Sequence, residues 1–143
     1  MKFSQCFYLC LVLLLLSCGK SPLLNQKGNN VSGSFGIEAQ KVFRSSGIKL
    51  NITWLTNINS SEQAEAVLIT TKNGVLTDLP APYSIYLWMP SMNHGSSPIT
   101  ITRLSPGVYK LTDIYFIMDG LWQLRIQLKS TTPIEEIFFE YNL

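Results

Sequence analysis

The chain has 143 residues, 46% of them hydrophobic and 14% charged, with 11 Lys and Arg against 9 Asp and Glu and a formal net charge of +2. No block of one sign occurs, which excludes the basic footprint that nucleic acid requires and the polybasic patch that holds anionic lipid. The length suits one domain with one hydrophobic core.

In chain order, the first segment reads as an address. Lys2 gives a positive start, and Phe7 to Leu16 is an almost unbroken apolar run containing Cys10. That run has the length of a signal-peptide core and is too short to span a bilayer comfortably. It ends in Leu15-Leu16-Ser17-Cys18-Gly19, which resembles the lipobox of bacterial lipoproteins. The resemblance implies removal of residues 1–17, diacylglycerol on the Cys18 sulfur and acylation of the new amino terminus. Two or three acyl chains meet the two-signal requirement for stable anchoring, so the implied chain is held at a membrane without crossing it. Gly19 stands where many lipoproteins retained at the Gram-negative inner membrane carry aspartate. The resemblance therefore implies the outer membrane, facing the periplasm; in a Gram-positive host the same anchor faces outward. Either compartment is oxidising. The alternative reading is an ordinary secretory signal with a chance cysteine.

The three cysteines are then accounted for. Cys6 and Cys10 leave with the signal and Cys18 carries lipid, so the mature part has no free thiol. Disulfides, thiolate nucleophiles and Cys-based metal or redox motifs are excluded together. A soft-metal site in this chain must use Met and His.

Residues 18–34 read as a flexible tether, since Lys20 to Ser34 is rich in Ser, Asn, Gly and Lys and lacks periodicity. The domain is expected over 35–143. Glu62 to Val67 offers one helical turn that nothing sustains. Strand patterns recur instead. Gly47 to Leu55 alternates apolar and polar residues, and Glu65 to Thr71 leads into the turn signal Lys72-Asn73-Gly74. Pro80 and Pro82 break the chain before the strand Tyr83 to Met89, which Pro90 ends. Ile99 to Leu104 and Val108 to Leu111 flank Ser105-Pro106-Gly107, and Ile114 to Met118 and Leu121 to Leu128 flank Asp119-Gly120. Ile134 to Tyr141 closes the chain. Seven to eight short strands with almost no helix predict an all-β, immunoglobulin-like antiparallel sandwich. Trp54 on an early strand is a candidate for the core tryptophan of that architecture, although no cysteine pair accompanies it.

Four features then line up: Met89-Pro90-x-Met92, Gly107-Val108-Tyr109, Phe116-x-Met118-x-Gly120 and Trp122-x-Leu124. Over roughly Lys49 to Leu128 they resemble the YtkA-like and FixH-like family of small membrane-anchored or secreted β-sandwich domains. Members commonly occur with copper transport and haem-copper oxidase assembly. The resemblance thus implies a sandwich without enzymatic activity and a copper-handling or oxidase-related envelope partner. A lipobox in place of the transmembrane helix of FixH points away from a direct role in oxidase assembly.

The chemistry concentrates in Trp88-Met89-Pro90-Ser91-Met92-Asn93-His94-Gly95, which holds the single histidine and two of the four methionines. Thioether and imidazole suit Cu(I). Pro90 is expected to throw the chain into an irregular loop where Met92 and His94 turn toward a common point. Met118, ending a strand before Asp119-Gly120, is the third candidate, with the face of its sulfur left open. Met89 is the fourth, and Trp88 is a candidate to shield the metal from water. His94 would bind metal only when neutral, so capture weakens with acid. The competing reading makes the methionines gap-fillers and Met-Pro a packing turn.

Other chemistry is poorly supported. Ser91, Ser96 and Ser97 lie near His94, but no nucleophile elbow or oriented carboxylate is evident, with Asp113 and Asp119 distant in sequence. Glu135-Glu136 are strand neighbours that point to opposite faces. The many aromatics, Tyr83 to Tyr141, read mainly as core, with a glycan or peptide groove as the remote alternative.

Overall fold

Period-two alternation puts apolar side chains on one face of each long strand, and two such faces can be buried only against each other. The computed structural model describes residues 40–143; the expected signal peptide, the lipidated Cys18, the tether and residues 35–39 lie outside them. Seven long strands carry the fold: β2 (Lys49–Trp54), β3 (Ala64–Lys72), β5 (Tyr83–Met89), β7 (Thr100–Ser105), β8 (Val108–Ile114), β9 (Leu121–Leu128) and β10 (Glu135–Asn142). Three two-residue strands, β1 (Lys41–Val42), β4 (Val75–Leu76) and β6 (His94–Gly95), pair beside them. No helix occurs among the described residues, and Glu62 to Val67 feeds β3 without a helical turn.

The first sheet runs β1-β2-β3-β8-β7, with β4 also on β3, and the second runs β10-β9-β5-β6, all pairs antiparallel. The long strands alone give β2-β3-β8-β7 against β10-β9-β5, the strand order of a constant-type immunoglobulin sandwich. Leu50, Ile52, Leu68, Leu111, Leu124 and Ile126 meet between the sheets. Trp54 is buried on the first long strand, whereas the immunoglobulin core tryptophan lies on the third. Trp54 is therefore not its counterpart.

One expected element is absent. Ile114 to Met118 does not form a strand of its own; β8 continues to Ile114, and residues 115–120 form the link to β9. A bulge explains the misreading. Ala64 and Ala66 of β3 face Ile114 and Leu111 across the ladder, so β8 carries one extra residue there, and Asp113 takes φ 58°. The bulge turns both Leu111 and Ile114 inward, breaking the alternation that marks a continuous strand.

At the end of the sandwich holding the β3–β4 and β7–β8 turns, Asp78 ties the crossing between sheets. Its carboxylate accepts bonds from Arg103 Nε at 3.0 and 3.1 Å, Arg103 Nη2 at 2.9 Å, the Gly107 amide at 2.8 Å and the Tyr109 hydroxyl at 3.1 Å. Tyr109 in turn accepts the Leu79 amide at 2.9 Å. The Arg103 bonds first, then the Gly107 amide, hold the Asp78 carboxyl well below the usual carboxylate range. Burial, with the Asp78 carboxylate adding to it, pushes the Tyr109 phenol up to about 12 against the pull of the Leu79 amide. The phenol thus stays protonated and can donate. Gly107, at φ 69°, lies so close to its neighbours that a Cβ would stand 2.5 Å from Thr70 O and 2.6 Å from Thr77 N.

Glu135 fastens another turn by accepting the Arg44 and Ser45 amides and the Ser45 hydroxyl. Partial desolvation raises its carboxyl, but the Ser45 and Arg44 donors outweigh that and hold it below its ordinary value. Both carboxylates release protons more readily in the folded chain than in the unfolded one. Their stabilisation is full above the ordinary carboxylate range, near pH 4, and fades as pH falls toward their depressed values. Asp78→Asn should lower stability at neutral pH and flatten the acid limb in urea titrations stepped from pH 6 to about pH 2. Gly107→Ala should cost about 3 kcal/mol or more in the same assay, since positive φ and overlap with two backbone atoms both oppose it.

Candidate functional site

The Met/His segment is a tight hairpin. Pro90 supplies a fixed φ after Met89, the Met92 amide donates to Met89 O at 3.2 Å and the Asn93 amide to Pro90 O at 3.3 Å. Asn93 then takes φ 53° and returns the chain, so that His94 pairs directly opposite Met89 and Gly95 opposite Trp88. The expected irregular loop is thus replaced by an ordered turn whose register decides which side chains meet.

Opposed residues share a face of the sheet. Met89 faces the core and is 2% exposed, and His94 leans the same way onto Trp122, with ring centroids 6.2 Å apart and planes at 77°. The His94 Nδ1 lies 2.8 Å from Gly95 O. A carbonyl can only accept, so Nδ1 is the donor in this contact, and in the neutral ring the lone pair then lies on Nε2. Trp122 also donates from Nε1 to Met118 O at 2.9 Å. One indole therefore touches the histidine and fixes the backbone of the second methionine segment. Trp122 carried no signal beyond its place in the motif, because its role depends on the pairing of β5 with β6.

The three methionines separate by environment. Met92, at the hairpin tip, is 57% exposed and Met118 is 37% exposed. Met89 is committed to packing, and its methyl would lie 2.9 Å from a Cβ placed on Gly120. As a fourth ligand Met89 is therefore not retained. Trp88 is a correction as well: it faces the opposite side of β5 from Met89, where the Arg125 guanidinium sits 5.4 Å from its ring centre. The ring beside His94 is that of Trp122.

No group of three or more His, Cys, Asp or Glu suited to a metal occurs among the described residues, so a metal at this end would rest on thioether and imidazole. The nearby carboxylates are engaged elsewhere: Asp119 accepts the Ser60 hydroxyl at 2.6 Å and Asp113 accepts Gln63 Nε2 at 3.0 Å. Neither orients His94 as a base. Ser96 donates to Tyr115 O, joining the segment after β6 to the β8–β9 link.

The outer face of β10-β9-β5 carries a second polar and aromatic array. Arg125 lies between Trp88 and Phe138, donates to Gln123 Oε1 at 2.9 and 2.6 Å, and pairs with Glu136 at 3.3 Å. Glu136 also accepts the Tyr86 hydroxyl at 2.7 Å and Gln127 Nε2 at 2.7 Å. Partial burial first, and the Glu136 carboxylate next, push the Tyr86 phenol up. Three rings thus turn outward on this face, while Trp54, Phe116, Trp122 and Tyr141 turn inward and meet edge to face, except that Trp54 and Phe116 are tilted at 55°.

Residues 48–127, more than half of the chain, match the family described as YtkA-like. The chain belongs to the YtkA-like family. Neither curated proteins nor solved structures return a match to it. In this YtkA-like domain most of the signature residues have architectural work. Gly107 and Tyr109 bind Asp78 at one end. Met89, Phe116, Gly120 and Trp122 close the other. Only Met92 and Met118 expose their side chains without a packing role of that kind.

Met89→Ala should therefore cost about 2–5 kcal/mol in urea denaturation, as for a core cavity. Met92→Ala and Met118→Ala should each stay within about 0.5 kcal/mol of the parent.

Proposed function

We propose that this YtkA-like domain is a non-catalytic envelope module that binds Cu(I) and passes it to or from a copper-handling or oxidase-related partner. Met92, His94 and Met118 are the ligands. What supports the reading is the His94 Nδ1 contact with Gly95 O, which in the neutral ring leaves Nε2 as the metal-binding nitrogen, with exposed Met92 on the same hairpin and exposed Met118 on the link whose backbone accepts the Trp122 indole. Two sulfurs and one neutral nitrogen suit Cu(I) far better than Mg(II) or Zn(II). The Gly95 carbonyl acts as the outer-shell group that orients a metal-binding imidazole. Thioethers bind weakly and singly, so a partner can replace them one at a time, which is the mechanism of transfer. The lipobox resemblance supports an anchor through Cys18 at the outer membrane, facing the periplasm.

A second reading, a protein-interaction module without metal, is favoured by the outward Trp88–Arg125–Phe138 array and by the structural employment of most signature residues. Anaerobic titration of the full chain in detergent against a chromophoric Cu(I) chelator separates the two. The wild type should withdraw one equivalent of Cu(I). The Met92→Ala/His94→Ala double variant should bind more than about tenfold more weakly, at least the scale of losing an outer-shell partner. Equal competition by both proteins removes the copper reading and leaves the interaction module.

A further inference from the structure

The three methionines at the hairpin end divide into one that the fold needs and two that it does not. Met89 is buried and packed against Gly120. At Met92 and Met118 the fold uses the backbone instead: the Met92 amide closes the Pro90 turn, and the Met118 carbonyl receives the Trp122 indole. Their side chains stand 57% and 37% exposed. Both side chains are thus accessible to solvent, and the hydrogen bonds these residues make to the fold come from their main-chain atoms.

Thioether oxidation follows access, and its product is polar and chiral. From this arrangement we infer that Met92 and Met118 are selective oxidation sites that switch the hairpin end between a soft-donor and a sulfoxide form. The co-reactant is hydrogen peroxide, whose transferred oxygen gives up its proton to the leaving hydroxide. The sulfur lone pair attacks one peroxide oxygen, the O–O bond breaks, an S–O bond forms and the other oxygen leaves as water. Sulfur loses two electrons and the peroxide gains them. Each sulfoxide presents a hard oxygen where a soft sulfur stood, so Cu(I) loses two of its three ligands. The consequence for copper rests on the function proposed above; the selectivity of oxidation does not.

The sandwich tolerates the change because neither side chain fills the core. Met89 is the internal control, since a sulfoxide there would put a polar group among buried apolar neighbours. Reversal requires a methionine sulfoxide reductase for each epimer.

The test treats the folded full chain in detergent with hydrogen peroxide and maps added oxygen by peptide mass spectrometry. Met92 and Met118 should each gain one oxygen, Met92 faster, while Met89 stays unmodified until urea unfolds the chain. Oxidation of Met89 at the rate of Met92 in the folded chain overturns the selectivity. Near-ultraviolet circular dichroism should be unchanged by oxidation, and collapse of that signal overturns the claim that the fold tolerates it. In Cu(I) competition the oxidised chain should bind more than about tenfold more weakly, with recovery after treatment with both reductases. An untreated chain that takes no Cu(I) overturns the copper reading and its switch, with selectivity still decided by the mapping. An untreated chain that binds Cu(I) and an oxidised chain that binds it equally overturn the switch alone.

Discussion

The sandwich depends on how one carboxylate is held. Between β4 and β5 the chain leaves the first sheet for the second, and Asp78 sits in that crossing. It gathers the Arg103 guanidinium, the Gly107 amide and the Tyr109 hydroxyl, so the crossing is fastened to β7, to the β7–β8 turn and to β8 together. The buried Tyr109 ring carries the link into the core, where it meets Tyr83 of the second sheet at 6.0 Å. Charge-assisted bonds of this kind set direction as well as energy. They fasten the segment that leads into the second sheet.

The register of β5 against β9 governs the opposite end. Tyr83 pairs with Leu128 and Trp88 with Gln123, which brings the end of β5 beside the start of β9. Phe116, Trp54, Trp122 and Tyr141 then close the core, three of their contacts edge to face, a geometry that aromatic quadrupoles favour. The Met-Pro hairpin folds over this closure, and His94 lands on Trp122 because it stands opposite Met89. The histidine's position is thus an outcome of strand pairing, and its Nδ1 is turned to the Gly95 carbonyl.

Signature motifs and chemistry separate along this line. Gly-x-Tyr belongs to the Asp78 junction and Met-x-Gly-x-Trp to the aromatic closure, so both describe how this sandwich is held together. The proposed ligands are what remains after those duties are assigned: one imidazole nitrogen and two exposed sulfurs. Fold and function share the same short hairpin but use different atoms of it, main chain for the turn and side chains for the proposed metal.

The alternation of β2, β5 and β9 was legible in the residues alone, and β5 and β9 have the expected bounds, since half-buried antiparallel strands show a two-residue period directly. Turn chemistry at Asn73-Gly74 and Pro106-Gly107 was equally plain. The end of β8 was not, because a bulge at Asp113 inverts the period and no local pattern announces it. Asp78 was silent for a related reason: an aspartate in a loop acquires its meaning only from donors 25 to 31 residues away. Fold class, strand pattern and the supply of soft donors rest on composition and local periodicity, so the residues alone set them. Tertiary structure decided that Met89 is core, that Trp88 faces Arg125, and that Trp122 is the ring beside His94. Those outcomes depend on which strands pair and in what register, and pairing is a property of the whole chain.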